Sequence, residues 1–332
     1  VPVADCAVTL ADYAGLRGEA MSMGERTPLA SLDAPASGRM AVGEALTNLL
    51  AAPVTLDRIK LSCNWMAACG EPGEDAALYD TVKAVALELC PALGIGVPVG
   101  KDSLSMRTRW RAAAPGGSAA AERAPASLCD GTVEHTVTAP VSLIVSAFAT
   151  LDDVRGTLTP QLRPVDSTLI LVDLGHGRMR MGGSMLAQVL GRFGDQVPDL
   201  DEPERLKALF AAVNELRAAG HILAYHDRSD GGLWAAVCEM AFAGQLGVSL
   251  NVDMLVTESD GIADSRAEYG DSKNWATQVS VRRSELTLKA LFNEELGVLL
   301  QVPRAQRDDA FATLRRHGLG ACSHAVGRTN DK

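Results

Sequence analysis

The sequence predicts an α+β protein of two domains, and three observations support this prediction. The chain has 332 residues, more than a single hydrophobic core usually organises. Hydrophobic residues make up 47% of the chain and charged residues 22%, which is a globular composition. Strand patterns and amphipathic helix patterns alternate along its length. We expect a first domain at residues 1–160, a linker at residues 160–164 and a second domain at residues 165–332.

The net charge, hydropathy and cysteines of the chain exclude several classes of protein. At a net charge of −10 we expect no nucleic-acid or membrane-surface binding, because such binders need basic patches. The longest apolar run, near residues 140–149, is too short to span a bilayer, and residues 1–10 lack a secretory signal. The seven cysteines form no C-x-x-C pair, so we expect reduced thiols and a cytoplasmic protein. The sequence does not begin with methionine, and we expect it to be a piece of a longer protein.

The first domain is predicted to begin with a strand, a loop and a helix. Residues 1–10 alternate as a strand does and carry Asp5 in mid-run, either as a strand end bound by backbone amides or as a ligand. Residues 11–37 lack sustained periodicity and are predicted to be mostly loop. The apolar pattern over residues 39–52, closed by Pro53, predicts a helix.

This helix carries an unusual pair of polar residues in an apolar setting. Glu44 and Asn48 are four residues apart, so they lie one above the other on the same helix face. Two oxygen-bearing side chains in this arrangement can bind a hard cation such as Mg²⁺. The alternative is an ordinary solvated helix face.

The middle of the first domain is predicted as strand, helix, strand and turn. Residues 56–66 read as a strand, and residues 75–93 as a strongly amphipathic helix. Residues 95–99 form a short strand that runs into a turn at Gly100-Lys101-Asp102-Ser103. In this turn the glycine would allow close approach to a ligand, the lysine would neutralise a phosphate, and the last two residues would contact metal or hydroxyl groups. The stretch is not a P-loop, because the G-x-x-x-x-G-K-[ST] pattern is absent.

A low-complexity segment interrupts the end of the first domain. Residues 111–127 are rich in Ala, Gly, Pro and Ser and are predicted to form a flexible surface insertion without catalytic residues. Strand character returns over residues 132–150 and closes the domain.

The second domain is predicted to open with a buried strand at residues 167–174. The glycines and serine at residues 182–184 would place free backbone amides at the start of a helix over residues 185–193. A second amphipathic helix is predicted at residues 203–219.

A strand at residues 221–225 is predicted to end in an acidic, glycine-rich turn, residues 226–232, before a helix at residues 233–243. Such a turn can present carboxylates and amides to a phosphate and its metal. Asp230 is expected to cap the helix, whereas Asp227 and Ser229 have no such structural role.

The end of the chain is predicted to contain a long loop, a strand and a helix. Residues 253–275 are polar and unpatterned, which favours a loop or an insertion. A strand is expected at residues 298–302, and the last amphipathic helix at residues 306–318.

Seven segments carry the resemblance to a known family. They are GRMAVGEALTN (38–48), KLSCNWMAA (60–68), GEDAALYDTVKAV (73–85), CPALGIGVPVGKDSLSM (90–106), RMGGSMLAQ (180–188), AYHDRSDGGL (224–233) and LFNEELG (291–297). In this order they resemble the second synthetase half of the large, single-chain phosphoribosylformylglycinamidine (FGAM) synthases. The resemblance covers nearly the whole chain except the low-complexity insertion and residues 253–275.

The resemblance implies a fold and an activity. The fold would be an aminoimidazole-ribonucleotide-synthetase-like half, in which an N-terminal α/β domain contributes to a dimeric barrel core and an α+β domain follows. The enzyme would be a ligase of purine biosynthesis with glutamine as amido donor. It would convert formylglycinamide ribonucleotide to the amidine with ATP, Mg²⁺ and glutamine-derived ammonia.

The resemblance also implies an auxiliary site for ADP and magnesium. Its residues would be Ala4 and Ser229 at the nucleotide and Asp5, Glu44, Asn48 and Asp227 at the metal. No residue of this half is a certain catalytic residue, but the Gly100-Lys101-Asp102-Ser103 turn would reach the catalytic site of the other half. The shorter relatives carry Asn where Lys101 stands.

The partners implied by the resemblance are the first synthetase half and a glutaminase domain, both missing from this sequence. The chain alone would then be an incomplete enzyme, and none of its cysteines a catalytic nucleophile. Two other readings stay open. The chain could be a structural domain that holds a nucleotide without turnover, or a free-standing ATP-dependent synthetase or kinase that works as a homodimer. Whether the fragment pairs with itself is also open.

Overall fold

The computed structural model of the chain describes residues 2–113, 132–260 and 275–330, and these contain two five-stranded sheets and a separate hairpin. The strands are β1 (Ala7–Leu10), β2 (Gly18–Glu25), β3 (Lys60–Met66), β4 (Gly96–Ser103), β5 (Arg107–Ala113), β6 (Thr132–Thr138), β7 (Ser142–Leu151), β8 (Ser167–Asp173), β9 (Ala224–Arg228), β10 (Gly247–Leu250), β11 (Gly297–Pro303) and β12 (Ser323–Asn330). The helices are α1 (Ala34–Leu49), α2 (Glu74–Val82), α3 (Cys90–Leu93), α4 (Met185–Val189), α5 (Pro203–Ala218), α6 (Gly232–Gly244), α7 (Asp253–Asp260), α8 (Trp275–Phe292) and α9 (Arg307–Arg316). The predicted α+β class is confirmed.

The first sheet has the strand order β1-β2-β7-β3-β4. Its neighbouring strands are antiparallel, except that β3 and β4 run parallel. One face, which includes Ala20 and Val145, is buried against α1, while Met23 and Phe148 are exposed on the other face. The alternation of buried and exposed residues along β2 and β7 follows the two-residue period of a strand.

The second sheet has the order β10-β12-β8-β11-β9, and all its neighbours are antiparallel. Its central strand β8 is buried on both faces. Ile170 and Val172 belong to the large core that also contains α1 and α5, whereas Leu169 and Leu171 join a smaller core with residues of α6. The sheet is therefore a layer between two cores.

Helix α1 is the element that brings the two sheets together. It starts at Ala34, five residues before the predicted position, because the side chain of Asp33 accepts a hydrogen bond from the Ala36 N–H and caps it. The helix is buried on nearly every side, which is typical of a helix between two packed layers. Across the seam between α1 and the second sheet, Tyr225 of β9 donates a hydrogen bond from its hydroxyl to the Thr47 carbonyl at 2.6 Å.

Several predicted elements differ from those in the structure. The segment 11–37, predicted as loop, contains strand β2. Asp5 is in a bend before β1 and not in mid-strand. The Gly100-Lys101-Asp102-Ser103 stretch is not a turn, because it pairs with β3 as the end of the exposed edge strand β4.

The predicted amphipathic helix at residues 75–93 forms but changes its winding. It runs as α2, a π-helical segment at Lys83–Leu89, and then α3. Gly94, with a φ of 73°, ends it in the left-handed conformation. The helix thus continues past Pro91, which is in the first turn of α3.

Several elements of the second domain also differ from the prediction. The first three residues of the predicted turn at 226–232 belong to β9. The predicted loop at 253–275 starts with helix α7, and its residues 261–274 are outside the described part of the chain, as are residues 114–127 of the predicted insertion. Strand β12 was not predicted.

The predicted linker at residues 160–164 is held firmly by the second sheet. The Arg163 N–H donates to the Gln301 side chain, and the Gln301 amide donates back to the Arg163 carbonyl, both at 2.8 Å. Leu162 is 1% exposed. Among the described helices, none is both long and apolar enough to cross a membrane.

Candidate functional site

Two aspartates from different parts of the chain meet where β1 approaches the second sheet. Asp227 is in β9, and Asp5 is in the bend before β1. The Asp5 Oδ1 atom accepts a hydrogen bond from the Asp227 backbone N–H at 3.0 Å and lies 2.7 Å from His226 Nδ1. These contacts fix Asp5 beside Asp227.

One carboxylate oxygen of each aspartate receives no hydrogen bond from the part of the chain that the structure describes. Asp5 Oδ2 and Asp227 Oδ2 are buried and have no partner among the described residues. Burial and the neighbouring Asp5 charge raise the pKa of Asp227 well above its ordinary value. A buried carboxylate without a donor is costly, and either a proton or a metal ion would relieve that cost.

His226 orients this pair and is not itself free to bind a metal. Its Nδ1 lies against Asp5, and its Nε2 is 2.9 Å from Oε2 of Glu239 in α6. Burial opposes protonation, but the hydrogen bonds to Asp5 and Glu239 outweigh it and raise the pKa of His226 to about 10. The imidazolium at neutral pH donates from both nitrogens. Although Asp5, His226 and Asp227 offer ligand atoms within 4.8 Å of one another, only the two carboxylates are available.

Glu44 and Asn48, the predicted pair on α1, lie next to the cluster of Asp5, His226 and Asp227. Oε2 of Glu44 accepts a hydrogen bond from the Glu25 N–H at 2.8 Å, and Asn48 donates from Nδ2 to the Met23 carbonyl at 3.0 Å. Both side chains therefore tie α1 to the end of β2, while the amide oxygen of Asn48 remains an acceptor. Burial raises the pKa of Glu44, and the Glu44 charge contributes to the raised pKa of Asp227.

A buried arginine that the sequence analysis did not single out completes the cluster. The Arg26 side chain, only 1% exposed, lies 3.5 Å from Glu44, 3.4 Å from Glu294 and 3.4 Å from Asp230. It was missed because residues 11–37 were predicted as loop. The available signal was the acid pair in the LFNEELG segment, since two buried acids need a cation or amide donors.

Glu294 connects this cluster to two loops of the second half. Its Oε1 accepts hydrogen bonds from the Met185 N–H at 2.8 Å and the Gly231 N–H at 2.9 Å. The backbone amides of residues 182–184, which were predicted to be free at the start of α4, all donate to backbone carbonyls, those of Gln196, Phe193 and Met181 in turn. Asp230 does not cap α6 as predicted, because Gly231 is the N-cap residue, with a φ of 79° and no side-chain hydrogen bond.

The structure brings some of the predicted site residues together and separates others. Asp5 and Asp227 are in contact, Glu44 is close enough for its charge to raise the pKa of Asp227, and Asn48 is one turn further along α1. Ala4 lines, with Asp5, a groove of about 510 Å³ whose other wall includes Met23 and Phe148. Ser229 follows Asp227 by two residues, and its carbonyl accepts from the Gly232 N–H.

The Gly100-Lys101-Asp102-Ser103 stretch is not near this cluster. It is in β4, at the edge of the first sheet opposite β1. There Lys101 donates a hydrogen bond to the Ser103 hydroxyl, and the stretch is largely exposed.

Two buried thiols, of which Cys6 follows Asp5 in the chain, are not suited to nucleophilic chemistry. Burial raises the pKa of the Cys6 thiol and of the Cys63 thiol to about 12 each. Since the thiolate is the nucleophile, both are unreactive at neutral pH. The six cysteines among the described residues are free thiols.

Two family matches cover almost the entire chain. The family described as "FGAR-AT PurM_N-like domain" matches residues 1–150. The family described as "AIR synthase related protein, C-terminal domain" matches residues 165–332, half of the chain. The chain belongs to the AIR synthase related family.

Several solved structures share the fold of this chain at low sequence identity. PurLQS from Thermotoga maritima superposes with a TM-score of 0.62 at 13% identity, over 100% of this chain and 43% of that chain. HypE in the HypE-HypF complex gives 0.58 at 14% identity, over 99% of this chain and 87% of that one. AaThiL complexed with AMPPCP and TMP gives a TM-score of 0.56 at 13% identity, over 99% of this chain and 85% of that one. The AIR synthase related chain therefore spans less than half of the PurLQS chain but most of the other two.

Proposed function

We propose that this chain binds a magnesium nucleotide as the second synthetase half of an FGAM-synthase-type ligase. The N-terminal family match, with its FGAR-AT description, supports this proposal. So does the shared fold of T. maritima PurL, whose structures are complexed with ATP, ADP and FGAR. In the complete enzyme, formylglycinamide ribonucleotide would be the substrate.

The excess of acid in the cluster is the observation that carries the proposal. Six carboxylates surround the two cationic side chains Arg26 and His226. They are Asp5, Glu44, Asp227, Asp230, Glu239 and Glu294. Acids thus outnumber cations by four (6 − 2), and two of the acids have buried oxygens that find no donor in the described part of the chain. An all-oxygen, acid-rich site of this kind suits Mg²⁺.

Each predicted residue has a role in this proposal. Asp5, Asp227 and Glu44, with the amide oxygen of Asn48, would hold Mg²⁺. The ion would neutralise the phosphates of the nucleotide, which the carboxylates alone would repel. Ala4 and Ser229 would contact the nucleotide at the mouth of the groove and in the turn after β9.

Calorimetric titration with Mg²⁺ and ADP tests the site directly. Wild type is expected to bind the pair, and Asp227→Asn to lose most of this affinity because a charged ligand is replaced by a neutral one. Asp153→Asn is the matched control, since Asp153 is an exposed aspartate paired with Arg155. Mass spectrometry of ligand released from the purified chain provides a second measurement. Equal binding by wild type and the Asp227 variant would contradict the site.

The ligase half is proposed to need partners. The exposed face of the first sheet carries Met23, Phe148 and, in the edge strand, Val99, with exposures of 59%, 44% and 54%. We propose that the first synthetase half covers this face, and that a glutaminase domain supplies ammonia. The chain alone should then form no amidine from glutamine or from ammonia. Ammonia-dependent turnover by the purified chain would contradict this assignment.

A free-standing synthetase or kinase is the second candidate function. The coverage of HypE and AaThiL favours it, because this chain aligns with 87% and 85% of those chains and so has nearly the length of a whole protein of this fold. A self-sufficient enzyme would hydrolyse or transfer ATP over many turnovers as a homodimer. Steady-state ATPase assays on the dimer fraction separate this function from a nucleotide-holding domain without turnover.

A further inference from the structure

Arg26 joins the two halves of this chain, residues 1–160 and 165–332, at the proposed cation site. It follows β2 in the first half, and its guanidinium is buried between Glu44 of α1 and Glu294 of the second half. The carboxylates around it outweigh the effect of burial and raise the pKa of Arg26, so it remains charged. The Arg26 carbonyl also accepts a hydrogen bond from the Ser37 hydroxyl at 2.6 Å, which anchors the residue to the start of α1.

The contact with Glu294 extends to the turn that follows Asp227. Glu294 Oε2 lies 3.4 Å from Arg26 Nη1, while its Oε1 accepts from the Gly231 N–H. Arg26 Nη1 is also 3.4 Å from Asp230 in the same turn. One guanidinium is therefore linked to α1 on one side and to the turn at residues 229–231 on the other.

The proposed metal ligands come from both sides of this link. Asp5 and Glu44 belong to the first half, and Asp227 belongs to β9 of the second sheet. Ligands from two packed layers bind one ion only if the separation of the layers is held to about 0.5 Å. A planar guanidinium with donors in a fixed fork suits this task better than a flexible ammonium.

Resting on the proposed function, we propose that Arg26 is a positioning residue, which fixes Glu44 relative to the turn after Asp227 so that both halves bind one cation. The opposite view is that Arg26 merely neutralises surplus acid. These views predict effects of opposite sign. A positive charge close to a cation site repels the cation, so a neutralising Arg26 would weaken metal binding and its removal would strengthen it. A positioning Arg26 strengthens binding, and its removal weakens it.

Titration of the full chain with Mn²⁺ alone, followed by calorimetry, tests the sign. Arg26→Gln is expected to bind Mn²⁺ about 10- to 100-fold more weakly than wild type, the usual effect of removing a group that orients metal ligands. Arg26→Lys keeps the charge but loses the fork, so it should restore only part of the affinity. If the glutamine variant does not fold, the lysine variant alone is decisive, because a pure charge effect predicts unchanged binding for it.

Arg39→Gln is the matched control for loosening of the two halves. The Arg39 side chain on α1 pairs with Asp199 of the second half, with Nε 2.7 Å from Oδ1, but neither residue contacts the cation cluster in the described structure. This variant should lower the melting temperature and leave Mn²⁺ affinity unchanged. Equal or tighter Mn²⁺ binding by the Arg26 variants, or equal weakening by Arg39→Gln, would overturn the positioning role. Absence of Mn²⁺ binding by wild type would instead overturn the proposed site, and the inference with it.

Discussion

Two buried aspartates in the second sheet, one in β8 and one in β9 on the two sides of β11, have opposite electrostatic environments. Asp173, at the end of β8, bonds the Arg228 guanidinium and accepts from the Gly177 N–H at 2.8 Å. Burial alone would raise its pKa, but these partners outweigh it and lower the pKa of Asp173. Asp227 has one oxygen that accepts no hydrogen bond from the described residues, and burial raises its pKa. The first aspartate is a structural ion-pair member, while the second is held in a state that suits a ligand.

Substitution by asparagine should therefore have opposite effects at these two positions. Asp173→Asn leaves the buried Arg228 without its counter-charge and should lower the free energy of unfolding by about 3 kcal/mol. Asp227→Asn removes a buried carboxylate for which burial and the Asp5 charge outweigh the nearby cations, and it should leave the metal-free protein equally or more stable. Urea unfolding in the presence of a chelator measures both. A large loss of stability in the Asp227 variant would contradict the unfavourable environment of this carboxylate.

The pH dependence of stability gives a second measurement on Asp227. Because its pKa in the folded state is raised above 3.8, its favourable contribution is complete below that pH and is lost as the pH rises through the folded pKa. Without metal, the stability advantage of Asp227→Asn over wild type should therefore grow as the pH rises from about 4. A difference that is constant with pH would mean that Asp227 does not titrate in this way.

At the level of elements, the site depends on the close approach of β2 and α1. A Cβ atom added to Gly24 would lie 2.2 Å from the Ala41 carbonyl oxygen and 2.4 Å from the Ala45 nitrogen. The strand and helix backbones are therefore nearly in contact. This approach allows the Glu25 N–H to reach the Glu44 carboxylate.

Gly24→Ala tests this packing. The methyl group would force the strand and the helix apart, at a cost of about 1–3 kcal/mol in unfolding free energy. It should also weaken metal binding, because the Glu44 carboxylate would move away from the Glu25 N–H that holds it. Gly100→Ala is the matched control, since no described atom lies within 4 Å of a Cβ added there. Thermal unfolding and Mn²⁺ titration of both variants check the effect. Equal behaviour of the two variants would show that the approach of β2 to α1 has no role.

The same packing explains which parts of the fold the sequence could predict. Helix α1 was predicted, with Glu44 and Asn48 on one face, because its apolar residues repeat with the helical period. Strand β2 was not predicted, because its helix-facing positions are small residues such as Ala20, Ser22 and Gly24. The close helix requires small side chains there, so the strand lacks the hydrophobic alternation by which strands are recognised. Arg26 was missed for the same reason.

A local motif was also misread where long-range pairing decides the conformation. The glycine and polar residues of Gly100-Lys101-Asp102-Ser103 are typical of a turn. In the structure, β3 supplies a parallel partner, in which Asn64 pairs with Lys101 and Trp65 with Asp102, and the stretch is extended. No feature within the four residues shows that pairing. The local sequence around Asp227 predicted a ligand residue, a role that stays a prediction, and it could not show that Asp5 and Arg26 would lie nearby.

For the whole molecule, the two halves share one large core. Leu46 and Leu49 of α1 belong to the same buried cluster as Val172 of β8 and Leu209 of α5. The Tyr225 hydroxyl bonds the Thr47 carbonyl across the seam. Separating the halves would expose this apolar surface, and such burial stabilises a protein by about 25 cal/mol per Å². We therefore expect the halves to fold together.

This coupling predicts that the chain unfolds in a single transition. Denaturant unfolding followed by tryptophan fluorescence and by circular dichroism should give coincident curves. Tyr225→Phe, which removes one hydrogen bond across the seam, should lower the unfolding free energy by about 1 kcal/mol without splitting the transition. Residues 1–160 and 165–332, produced as separate chains, should each bind a hydrophobic dye and lose it on mixing. Two resolved transitions, or a separate second half as stable as the full chain, would show independent folding. In that case the separation of Glu44 and Asp227 would not be fixed by the shared core, and the contacts of Arg26 alone would have to set it.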